Sequence, residues 1–189
     1  MSSIALTEFI EQARRRTAAR SDPADCVLAL APMMLDLISQ ATAFLEPRHY
    51  LSDPRGYARN LVYEAPDASL SLYSLVWLPG QWTPIHDHGS WGVVGVVEGV
   101  LEERSYVRLS PDGDSDHDIE LARGGTVLLP HGAVTSFVPN PDHIHVTGVP
   151  ADRRRAVSLH LYGRMMSSFN VYDLETRSRR RIEVAHNES

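Results

Sequence analysis

The stretch GQWTPIHDHGSWGVVGVVEG, residues 80–99, decides how the rest of the chain is read. It holds two histidines two positions apart, His86 and His88, between a Pro/Gly-punctuated approach and a run of valines. On a strand, residues i and i+2 share a face. His86 and His88 can therefore point together into an interior, with Asp87 facing away. Pro79, Gly80 and Pro84 stiffen the approach, and Gly89 and Gly92 leave room beside the imidazoles. Two imidazoles from one strand end form the first half of a metal site.

The other half must come from another strand. His145, in the β-like segment 144–149, is the leading candidate. His143 lies on the same face of that segment and competes with it. His131, in the turn Pro130-His131-Gly132, could also approach. Surface or hydrogen-bonded core roles account for any one of these histidines but less well for the whole set.

Composition narrows the classes. The chain has 189 residues, 43% hydrophobic and 22% charged, ordinary for one globular domain with a real core. Its net charge of −6 gives no support for nucleic-acid binding. The basic cluster Arg153-Arg154-Arg155 reads as a solvated hairpin tip. The single cysteine, Cys26, excludes an internal disulfide and suits the cytoplasm. The first 30 residues lack a signal-type apolar core, and no apolar run approaches a membrane span. A monomer or weak homo-oligomer is expected.

The chain divides by pattern. Residues 3–20 read as a helix with Leu6, Phe9, Ile10 and Ala13 on one side. A second helix starts after Ser21 or Asp22 with Pro23 early, pauses near Pro32, and runs on to Leu45 before Pro47 ends it. Asp53 could cap a further helical turn containing Pro54 and Tyr57. From residue 60, short β-rich runs alternate with Gly, Pro, Asn and Asp. Strands are expected at 61–64, 70–78, 91–98, 100–109, 117–122, 125–129, 133–138, 144–149, 156–162, 170–174 and 179–184. Residues 110–116 form a polar turn. This order predicts a mainly β chain: a jelly-roll β-barrel over 57–189 behind a helical section over 1–56, all one domain over 1–189.

A second alternation stands in 156–162, AVSLHLY. Ser158, His160 and Tyr162 share one face, and Val157, Leu159 and Leu161 share the other. Ser158 can hydrogen-bond one nitrogen of His160, whose other nitrogen can reach Tyr162. Such a chain could orient a phenol and tune its acidity. Without an elbow such as GxSxG, a Ser and His two apart give little support for acyl hydrolysis.

These pieces together resemble a known family. YARNLV at 57–62, GQWTPIHDHGSWG at 80–92 with Gly99, His145, and AVSLHLY at 156–162 are similar to the thiol dioxygenases of the cupin superfamily, and more narrowly to bacterial cysteine dioxygenase (type I). The usual cupin motif continues from its two histidines to a glutamate. Here the following positions are Gly89, Ser90, Trp91, Gly92 and Val93. That absence is itself like the thiol dioxygenases, whose iron has three histidine ligands. The resemblance therefore implies Fe(II) on His86, His88 and His145, an outer triad of Ser158, His160 and Tyr162, and a substrate pocket containing Tyr57, Arg59 and Tyr162. Some family members crosslink a cysteine to the active-site tyrosine. With Cys26 far away in the helical part, Tyr162 is expected to be uncrosslinked.

Arg59 bears on the substrate. A guanidinium fork matches a carboxylate at two points. In the family, arginine here resembles enzymes that oxidise L-cysteine with O2 to cysteine sulfinic acid. Relatives preferring 3-mercaptopropionate tend to have glutamine, with an arginine supplied after the Ser-His-Tyr strand. Arg164 follows that strand immediately and is not an obvious equivalent. A non-enzymatic metal-containing cupin, acting as a sensor or binding protein, and a three-histidine enzyme on Mn, Ni or Zn are the readings from other classes.

Overall fold

The computed structural model describes residues 4–111, 115–139 and 143–187. Two helices come first. Helix α1 (Ile4–Ala18) buries Leu6, Phe9, Ile10 and Ala13, the stripe that helical spacing predicts. Helix α2 (Pro23–Ser39) begins where expected: the Asp22 side chain accepts from the Ala24 N–H at 2.8 Å, and Pro23 occupies the first turn. It runs through Pro32 and stops at Ser39, six residues short of the expected end. Single 3₁₀ turns follow at Ala41–Ala43 and Pro47–Tyr50. Pro47 thus starts a turn, because its fixed φ suits a first helical position. Asp53 caps a tight turn closed by a bridge to Gly56, and no helix forms there. No described helix is long and apolar enough to cross a membrane.

Eleven strands follow among the described residues: β1 (Ala58–Glu64), β2 (Ser71–Trp77), β3 (Ile85–His86), β4 (Gly92–Glu98), β5 (Val100–Arg108), β6 (Leu121–Pro130), β7 (Val134–Phe137), β8 (Ile144–Gly148), β9 (Ala156–Tyr162), β10 (Ser168–Asp173) and β11 (Ser178–Glu183). Of the expected strand at 117–122 only Leu121 and Ala122 are strand, and they run on through the expected 125–129 as β6. Gly124 allows this: a Cβ there would strike Ser105, beside the register shift between Arg104 and Tyr106. Part of the polar turn at 110–116, namely 112–114, lies outside the described residues.

The strands form two open antiparallel sheets, ordered β1-β2-β9-β4-β7 and β11-β10-β3-β8-β5-β6. The expected closed jelly-roll barrel is therefore corrected. The architecture is two antiparallel sheets with flanking helices, and neither sheet closes on itself. Face-to-face packing of two open sheets buries their inner faces without closure. The chain changes sheet between β4 and β5 at Gly99. Its φ is +77°, and a Cβ would meet the Arg155 carbonyl and Ala156. Arg153 to Arg155 also mark a change of sheet, from β8 to β9, where a hairpin tip was expected.

Two apolar layers result. Leu72, Val93, Leu159 and Leu161 pack against the helices on the outside of the first sheet. Tyr73, Leu75, Trp77, Val94, Leu101, Phe137, Tyr162 and Phe169 fill the space between the sheets. Strand β9 is consequently buried on both faces along its whole length. Its apolar side anchors it under the helices, at about 2 kcal/mol for a leucine of this kind. Its polar side is left facing the gap between the sheets.

Candidate metal centre

Strand β3 is two residues long, yet it has a neighbour on each side. His86 pairs directly with His145 of β8 and with Val171 of β10. This ladder sets two of the histidines opposite one another. His88 lies just past the strand, and its carbonyl accepts from Arg164 Nη2 at 2.8 Å and Nε at 3.3 Å. Asp87 turns away, as the i, i+2 rule requires. It accepts from Tyr172 Oη at 2.6 Å and Asn170 Nδ2 at 3.0 Å, which locks the HDH segment to β10.

The three imidazoles converge. His86 Nε2 and His88 Nε2 are 3.2 Å apart, and one ligand nitrogen from each of His86, His88 and His145 falls within 4.8 Å of the others. All three residues are buried. Burial is the main reason their pKa values are lowered, and the mutual repulsion of positive charge on neighbouring rings adds to it. Glu103 opposes the shift at His145. The imidazoles are thus neutral, the form that ligates.

The donor set accommodates a cation. The Nε2 atom of His145 is buried with no hydrogen-bond partner among the described residues. An orphaned buried nitrogen is costly unless something electrophilic takes its lone pair. Three neutral nitrogens, one of them orphaned, suit a transition metal and would suit a hard oxygen-seeking cation poorly.

Of the competing histidines, His131 stays out: it is exposed, in a turn, with Nδ1 2.8 Å from the Val97 carbonyl. His143 sits beside the site, stacked on Phe137, with its Nε2 3.5 Å from Glu103.

Around the histidines lies a small cavity of about 30 Å³, bounded by Tyr57, Arg59, Trp77, His160, Tyr162 and Phe169 among others. A wider groove along α1, about 1040 Å³, contains none of the three histidines. Ser158, His160 and Tyr162 form the expected chain, with Ser158 Oγ 2.8 Å from His160 Nε2 and His160 Nδ1 3.2 Å from Tyr162 Oη. Burial pushes the His160 pKa down to about 3 and raises that of Tyr162. Both are neutral near pH 7.

Arg59 reaches the cavity from β1. Its guanidinium lies 4.7 Å over the Tyr73 ring and donates to the Met166 carbonyl at 2.7 Å and the Ala185 carbonyl at 3.3 Å. Tyr57 stacks on Trp77 at 4.6 Å. The neighbour of Tyr162 on β4 is Gly92, which has no side chain to link to it, and Cys26 is a free, buried residue on α2.

Sequence reading missed Trp77 and Glu103. Trp77 Nε1 donates to Ser158 Oγ at 3.0 Å, extending the polar chain by one member. Glu103 lies 3.2 Å from His145 Nδ1. A signal existed for Glu103: it shares a strand face with Leu101, which is fully buried. A carboxylate on a core-facing position needs a partner.

The cysteine dioxygenase type I family matches residues 11–175. The chain belongs to that family. It is a cupin-fold thiol dioxygenase with a three-histidine facial triad consistent with a mononuclear Fe(II) site. Solved structures similar to this cysteine dioxygenase family member include a cupin-like protein from Thermotoga maritima, at 15% identity over 62% of this chain and 79% of that one, with a TM-score of 0.44. A protein with a double-stranded β-helix domain from Klebsiella pneumoniae has 15% identity over 66% and 91%, with a TM-score of 0.46. An RmlC-like cupin from Desulfovibrio desulfuricans has 22% identity over 60% and 88%, with a TM-score of 0.39.

Proposed function

We propose that this thiol dioxygenase oxidises L-cysteine to cysteine sulfinic acid, with Fe(II) held by His86, His88 and His145. The observation that carries the choice of substrate is Arg59, a guanidinium on the wall of the cavity that the three histidines enter. Among the described residues it uses two of its five N–H groups on backbone carbonyls. Those bonds hold the fork in place while leaving donors for a carboxylate.

The iron, when bound, supplies the redox centre at which thiol and O2 react. The sulfur is oxidised by four electrons, and both oxygen atoms end on it, so no nicotinamide or flavin is needed. The protein's own groups bind and orient. Arg59 takes the substrate carboxylate. Tyr162 presents its phenol to the same space, 5.4 Å between ring centres from His88. The Trp77 indole can only donate, so Ser158 can keep its own O–H for His160 Nε2. His160 then offers Nδ1–H to Tyr162 Oη, and the phenolic proton is free to face the substrate. Trp77, Phe137 and Phe169 exclude water from the reacting sulfur.

The test is anaerobic Fe(II) loading followed by oxygen uptake with cysteine, 3-mercaptopropionate, mercaptosuccinate and cysteamine, with product identification. Cysteine is expected to react fastest and to give the sulfinate. A clear preference for 3-mercaptopropionate would overturn the substrate assignment, and no oxygen uptake with any thiol would return the site to a sensor or binding role.

A further inference from the structure

We propose that Glu103 is a positioning residue that aims His145 at the metal, by accepting its Nδ1–H and so turning the Nε2 lone pair inward. The inference rests on His86, His88 and His145 being the ligand set. His145 can bind through Nε2 only if its single proton sits on Nδ1. Two groups face Nδ1: Glu103 Oε2 at 3.2 Å and Thr147 Oγ1 at 3.3 Å. A hydroxyl can donate or accept, so Thr147 decides nothing by itself. An ionised carboxylate only accepts, so Glu103 selects the tautomer. The other ring nitrogen, Nε2, is buried and partnerless.

The carboxylate is itself held. Glu103 is on β5 opposite Thr147 of β8, two pairs along from Ser105 and His145 and so on the same face. Its second oxygen lies 3.5 Å from His143 Nε2. The His143 ring stacks nearly parallel on Phe137, at 4.8 Å and 4°, and Phe137 also stacks on His88, at 4.3 Å and 22°. A bracket therefore runs from His145 through Glu103, His143 and Phe137 to His88. It ties the third ligand to the second without touching the metal. The role of His143, as a latch on Glu103, follows from this arrangement.

The test uses metal-free and metal-titrated protein, so it does not depend on turnover. Nitrogen-15 NMR of the metal-free wild type is expected to show His145 protonated on Nδ1. Glu103→Gln is expected to mix the two tautomers and weaken Fe(II) and Co(II) binding by about 10–100-fold in chelator competition, the usual effect of losing a ligand's outer partner. Thr147→Val is expected to preserve both readouts. His145 protonated on Nε2 in the wild type would overturn the proposal without any variant being needed. So would unchanged affinity in Glu103→Gln, a tautomer change confined to Thr147→Val, or two metal ions per chain with one lost in Glu103→Gln. A chain that bound metal this way but oxidised no thiol would leave the proposal standing and remove the proposed function instead.

Discussion

His86 and His145 are direct partners across the β3–β8 ladder, so backbone hydrogen bonding between two strands sets two metal-facing side chains opposite each other. Strand β3 has only two residues, and its place is held by neighbours on both sides. The site is thus built into the middle of a six-stranded sheet. For His86 and His145 the precision comes from ladder register, while His88, just past the strand, is held by Arg164.

Removing either side chain should therefore leave the ladder intact and empty the site. His86→Ala and His145→Ala are each expected to bind little iron and to lose activity by ~100-fold or more, since an outer partner alone is worth ~10–100-fold. Metal analysis beside circular dichroism checks this. A fully iron-loaded His145→Ala would pass the third position to His143.

Arg59→Gln separates substrate binding from chemistry. Hydrogen bonds to a charged group are worth about 1.5–3 kcal/mol, so kcat/KM for cysteine should fall by roughly 10–100-fold. Cysteamine, which has no carboxylate, should react at nearly the original rate. Equal losses for both thiols would instead assign Arg59 to holding the Met166 and Ala185 carbonyls.

Arg164 clamps the loop that carries His88. Its guanidinium donates to the His88 carbonyl and, at 2.6 Å, to the Ser168 carbonyl. Arg164→Met leaves both acceptors short of a partner, at about 1–3 kcal/mol each if they stay buried. The expected result is a lower midpoint in urea together with weaker metal binding. A stability loss with unchanged metal affinity would confine the clamp to a structural role.

His49 should make stability fall in acid. It is buried, its Nδ1 accepts from the Glu46 N–H at 3.0 Å, and its Nε2 has no partner among the described residues. Burial, with Arg48 nearby, lowers its pKa in the folded state below the ordinary imidazole value of 6.5. Above 6.5 both folded and unfolded forms are neutral, and the His49 contribution is fully present. As pH falls below 6.5 the unfolded chain takes up the proton first, and stability declines until pH passes the folded pKa. His49→Asn, whose amide oxygen can replace Nδ1, should lose less stability than the wild type between pH 7.5 and pH 5. Parallel losses in the two proteins would contradict this sign.

Much of the site could be read from local sequence because the relevant patterns are local. The two-residue period of a strand puts His86 with His88, and Ser158 with His160 and Tyr162, whatever the strands pair with. The resemblance read from these short pieces agrees with the family match, which spans residues 11–175. The N-cap at Asp22 and the buried stripe of α1 are equally local.

What the sequence alone determined, then, was the HxH pair, the Ser-His-Tyr face and the membership of a thiol dioxygenase family. Tertiary structure decided the rest. Periodicity puts His143 and His145 on one face and cannot rank them. Only the β3–β8 register makes His145 the partner of His86 and leaves His143 against Glu103. The same holds for the closed barrel, which strand pattern suggested and sheet pairing replaced with two open sheets. It holds too for Arg59, whose head is placed by the carbonyls of Met166 and Ala185, more than 100 residues further along the chain. Register and long-range contacts are set by the packing of the whole chain, and a short window of sequence does not contain them.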